Sequence, residues 1–130
     1  LEYVTIATTG DATDFGDLTD NKIRYGGCSS STRGIIAAGG TPSVTNSITY
    51  ITIATTGNTS DFGDVTAARQ NVAAVSNSIR GLVAGGETPS DVNTIDYINI
   101  ATTGNASDFG DEIITGDHTS GCSDSHGGLS

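Results

Sequence analysis

Aspartate is the most regularly placed chemistry-bearing residue of this 130-residue chain, and the chemistry it suggests is the binding of a hard cation. Asp14 and Asp17, Asp61 and Asp64, and Asp108 and Asp111 each bracket a Phe-Gly pair. Calcium takes about six to eight oxygen ligands, so two carboxylates per setting are too few, and the glycine-rich calcium nonapeptide of β-rolls is absent. No metal is assigned. The reading in its place is turn chemistry: Asp and Gly around an apolar anchor define an outer strand, and charge there discourages stray sheet pairing. Asp-Phe-Gly also occurs in kinases, but the catalytic loop and lysine strand it serves there are missing, and a triplet present in every repeat is structural.

The other reactive types are scattered. His118 and His126, with Ser123, Asp124 and Ser125 between them, contain the ingredients of a nucleophile, but such groups must converge in space, which proximity along one strand does not achieve. No catalytic residue is assigned and no enzyme is expected. Arg33 and Arg80 precede equivalent apolar runs; pairing with acidic neighbours is expected, with ligand contact as the alternative. Asn58-Thr59-Ser60 and Asn105-Ala106-Ser107 fit the glycosylation pattern, which makes Asn58 and Asn105 candidate acceptors. Asp11 replaces them in the first copy, and because Asp and Asn share a turn-forming role, plain turn residues are the favoured reading. Cys28 and Cys122 occupy one repeat position, with Val75 between, so free, buried thiols acting as small apolar groups are expected, too far apart for a disulfide.

Fifteen acidic against 5 basic residues give a formal charge of −10, which repels phosphate backbones and anionic lipid; no nucleic-acid or membrane partner and no cofactor is expected. No stretch approaches the roughly 20 apolar residues of a membrane span, and no signal peptide is visible. Leu1 in place of an initiator methionine reads as a processed or partial product of a longer reading frame. With 18 Gly, 5% aromatics and neither Met nor Trp, the core must be built of small and β-branched side chains at close backbone distances.

What positions all these residues is a repeat. Tyr3-Val4-Thr5-Ile6-Ala7-Thr8-Thr9-Gly10 returns at Tyr50 and again at Tyr97, a period of 47 without insertion. The segments are 1–47, which begins at third-strand sequence, 48–94, and 95–130, which is truncated. In the middle copy, 70–78 reads as a first strand, Arg80-Gly81-Leu82-Val83-Ala84 as a second strand buried on both faces, 94–100 as a third and the stretch around Phe109 as a fourth. Gly85-Gly86 and Pro89 break the pattern between the second and third. The predicted class is all-β, about three four-stranded blades of about 47 residues, incomplete at both ends, together one propeller-type array.

The order of Arg69, an apolar strand ending in Gly85-Gly86, Ile95-Asp96-Tyr97, Thr103-Gly104 and then Phe109 resembles the kelch repeat, with Phe15, Phe62 and Phe109 where kelch blades usually carry Trp. Its wording, with Ile-Ala-Thr-Thr-Gly-Asn and Asp-Phe-Gly-Asp, is similar to kelch-like β-propeller repeats of marine and aquatic phages, including cyanophages. The resemblance implies a structural component of a virion, a tail fibre or surface appendage with host-glycan contact, located in the virion. The alternative is a cellular extracellular filament or adhesion module; a propeller enzyme ranks below both. Open blade edges predict association with further copies or with the remainder of a longer chain.

Overall fold

The computed structural model describes residues 1–40 and 42–123. Within them the 47-residue period of the sequence is the period of the backbone. Ten strands form: β1 (Glu2–Tyr3), β2 (Thr13–Asp14), β3 (Gly26–Ser29), β4 (Arg33–Ala37), β5 (Ser47–Thr52), β6 (Ser60–Asp64), β7 (Ala73–Ser76), β8 (Arg80–Ala84), β9 (Thr94–Asn99) and β10 (Ser107–Asp111). Among the described residues there is no helix. The class is all-β.

Two sheets are four-stranded antiparallel meanders, β3-β4-β5-β6 and β7-β8-β9-β10, and β1 with β2 makes a two-stranded third. The four strands expected in the middle copy are β7 to β10, in that order. Each complete sheet takes its first two strands from one of the segments 1–47, 48–94 and 95–130 and its last two from the next, because those frames open at the third strand.

Strand composition follows position. β5 and β9 lie between two partners each and are rich in Ile, Thr and Tyr, which pack well on a pleated surface. β3 and β7 are small-residue strands because they face each other closely: a Cβ at Gly26 would stand 2.9 Å from the Cβ of Ala74. The double glycine turns the chain as expected, at φ 60° for Gly85 and 98° for Gly86. In the preceding repeat Ala38 holds the same left-handed conformation at φ 58°.

One apolar cluster draws on both large sheets. Ile35, Ile48 and Phe62 come from the first, and Val83, Ile98 and the adjoining Ile100 from the second. Its placement explains where burial departs from expectation. The apolar run of β4 is buried through Ile35, Ile36 and Ala37, whereas β8 alternates between buried and partly exposed residues. The sequences are alike, yet β4 buries three consecutive residues whereas β8 buries only Gly81 and Val83.

Candidate functional site

The feature that recurs with most chemical detail is the junction between successive repeats. Its receiving edge is the Asp-Phe-Gly-Asp strand. In β6 and β10 the ladder slips at the aromatic: Ile48 pairs Gly63 and Thr49 pairs Asp61, leaving Phe62 as a bulge, and Phe109 is skipped in the same way. A bulge re-aims its side chain, here against a tyrosine of the neighbouring strand. Tyr3–Phe15, Tyr50–Phe62 and Tyr97–Phe109 meet edge to face at 6.2, 6.0 and 6.1 Å.

The docking element is the turn that precedes the fourth strand of the next repeat. Gly57 N–H donates to the Phe15 carbonyl at 2.7 Å and Thr59 N–H to the Asp17 carbonyl at 2.9 Å. One repeat on, Gly104 donates to Phe62 at 2.7 Å and Ala106 to Asp64 at 2.7 Å. Between each pair of bonds an asparagine reaches back: Asp17 N–H donates to Asn58 Oδ1 at 2.8 Å, and Asp64 N–H to Asn105 Oδ1 at 3.1 Å. The glycine of Asp-Phe-Gly is the notch that admits the turn. A Cβ on Gly16 would lie 2.3 Å from the Gly57 carbonyl oxygen, and one on Gly63 2.4 Å from that of Gly104. Both glycines also sit at positive φ, 148° and 145°.

The inner strands add a second set of contacts. Ser76 Oγ donates to the Ser29 carbonyl at 2.6 Å, and Ser123 Oγ to the Ser76 carbonyl at 2.7 Å, each across 47 residues. Gly39 N–H donates to the Arg69 carbonyl at 2.8 Å, and Gly86 N–H to that of Gly116 at 2.9 Å. Arg33 and Arg80 cover the rings of Tyr50 and Tyr97 at 4.6 and 4.9 Å, and Arg33 Nη1 donates to the Ile100 carbonyl in the next sheet at 2.9 Å. The expected pairing of these arginines with acids gives way to aromatic stacking, which the half-buried tyrosine ring beside each one favours.

Of the Asp-Phe-Gly-Asp aspartates, Asp17 and Asp64 meet the junction, through their peptide groups. The carboxylates that converge are others: Glu87, Asp91 and Asp117 present oxygens within 4.8 Å of one another. Gln70 and Asn71 both donate to Glu87 Oε1 at 2.9 Å, so that oxygen serves as a hydrogen-bond acceptor inside the fold. His118 pairs with Asp117 at 2.6 Å on the surface. Its φ of 52° matches 59° at Arg24 and 57° at Asn71, so one left-handed position recurs in all three repeats. His126, Asp124 and Ser125 lie outside the described residues.

Sequence reasoning missed the buried pair of Arg69 and Asp96. Both side chains are fully buried; Arg69 Nη2 donates to Asp96 Oδ2 at 3.0 Å and to the Val83 carbonyl at 3.1 Å. Thr66 completes the carboxylate's shell through N–H and Oγ1 at 3.0 and 2.8 Å. Burial lowers the Arg69 pKa, and Asp96 opposes that shift. In the preceding sheet Lys22 and Thr49 hold these positions; Lys22 Nζ donates to the Ser47 carbonyl at 2.8 Å, and Thr49 Oγ1 is buried without a partner. Burial lowers the Lys22 pKa too, against Asp20, Asp61 and Asp64.

Both cysteines are free thiols, with one correction: Cys28 is half-buried and Cys122 is exposed. Gly81 of the next sheet packs on Cys28, where a Cβ would fall 2.9 Å from its sulfur, and burial pushes this thiol up to about 11 from 9.0. Among the described residues nothing covers Cys122 to the same degree. No family model matches the chain, and no curated protein matches it.

Proposed function

We propose that this chain is a structural, non-enzymatic building block whose repeats are kelch-like propeller blades, serving in a phage particle as part of a tail fibre or surface appendage. The observation that carries the structural role is the identity of the two junctions: the same backbone donors, the same asparagine clamp and the same glycine notch recur 47 residues apart. A surface repeated bond for bond is what a scaffold built by addition of like units requires. The assignment to a virion rests on the resemblance of the repeat wording to phage kelch-like sequences. Host glycan is the proposed ligand of the exposed faces.

Labelling purified particles with antibody against this chain and viewing them by electron microscopy tests the reading. Label on an appendage is the expected result. Label confined to a cell-surface filament would favour the adhesion module instead, and label on neither would overturn both. Glycan-array binding by the isolated chain checks the ligand separately.

A further inference from the structure

The second large sheet ends on a junction surface that no described residue fills. A Cβ on Gly110 meets nothing within 4 Å, although the backbone is the same as at Gly16 and Gly63, with φ 140°. Phe109 is 54% exposed where Phe62, its equivalent one repeat earlier, is 2% exposed. Beside it a hollow of about 390 Å³ opens between Leu82, Arg80, Phe109 and Cys122. The matching part is also present. The turn Gly10-Asp11-Ala12 corresponds to Gly57-Asn58-Thr59 and Gly104-Asn105-Ala106 and is exposed throughout.

We infer that this surface binds a second copy of the chain, head to tail. The second copy's Gly10-Asp11-Ala12 turn seats in the Gly110 notch as Gly104-Asn105-Ala106 seats in that of Gly63. Gly10 and Ala12 N–H donate to the carbonyls of Phe109 and Asp111, and the Asp11 carboxylate accepts from Asp111 N–H in place of the asparagine amide. The occupant is a second copy because the surface already accepts a repeat of this sequence at two earlier positions with the same bonds. Such a contact joins two different faces and so propagates into rings or filaments, not closed two-fold dimers. The inference rests on the stacking half of the proposed function and not on where the assembly is found.

Sedimentation of the isolated chain is expected to show mass rising with concentration up to about 100 µM. Gly110→Ala places a methyl in the notch and is expected to weaken association at least about tenfold while circular dichroism stays that of the native fold. Phe109→Lys, at an exposed position, is the second variant and predicts the same loss. Alkylation of Cys122 supplies a readout without mutation: its rate falls as the chain associates, since the next copy would cover it as Gly81 covers Cys28. A wild-type chain that stays monomeric, or an assembly indifferent to both variants, overturns the inference. A monomer that still labels on particles would sink this inference and leave the proposed function standing; an assembling chain absent from particles would do the reverse.

Discussion

Gly63 and Gly110 have nearly the same backbone angle, φ 145° and 140°, and differ in what lies beyond the Cα. Replacing either with alanine costs roughly 1–3 kcal/mol of backbone strain. At Gly63 the new methyl also meets the Gly104 carbonyl, so Gly63→Ala is expected to lose at least about 2 kcal/mol more than Gly110→Ala in urea unfolding. Equal losses would mean that the notch is not a packing site. Asn105→Ala removes a single hydrogen bond at the surface and should cost about 0.5–1 kcal/mol by the same measurement. Thr49→Val should move stability the other way. Its hydroxyl is buried without a partner, and a methyl of similar size relieves that at a gain of about 1 kcal/mol, read as a rise in the urea midpoint. The residues of the junction were all visible in the sequence as repeated Asn, Asp and Gly. Their roles were not, because a carbonyl 41 residues away that forbids a Cβ leaves no trace in composition beyond the glycine itself.

At the scale of strands, period and residue type made the fold class and the order of four strands per repeat legible. β-Branched residues gather where strands have two partners, and Gly85-Gly86 and Pro89 fall where the chain leaves the sheet. Burial was less legible. β4 and β8 read alike, yet β4 buries three residues in a row where β8 alternates, and Cys122 is exposed where Cys28 is half-buried. Asp96 escaped notice because an acid inside an Ile-Tyr-rich strand looks like its solvent-facing residue until Arg69 is placed against it. Removing that acid alone leaves a buried guanidinium unpaired, so Asp96→Ala is expected to cost about 3–5 kcal/mol in urea unfolding, while joint replacement of Arg69 and Asp96 by apolar residues of similar volume is close to neutral. Cys28 belongs to the same level, since a neighbouring sheet sets its chemistry. With its pKa near 11 rather than 9.0, its thiolate fraction at neutral pH is lower by about a hundredfold, so alkylation of the folded chain should modify Cys122 well before Cys28. The sign for stability follows: the folded state favours the neutral thiol, a contribution present in full below pH 9 and lost as pH rises through about 11.

Over the whole molecule, the junctions between the described residues join successive sheets, so stability is expected to grow by nearest-neighbour additions. A chain extended by one further copy of residues 65–111 should gain a complete junction and unfold at a higher urea midpoint than the 130-residue chain. A midpoint unmoved by the extra repeat would argue for a core closed within the present sheets. The arrangement of Gly, Asn and Asp at the junction also bears on how such a chain changes length over generations. The two observed junctions share their bonds, so unequal recombination that inserts or deletes 47 residues between them is expected to rejoin native partners. The gene can thus lengthen or shorten in whole steps without inventing a new contact, and selection can act on reach alone.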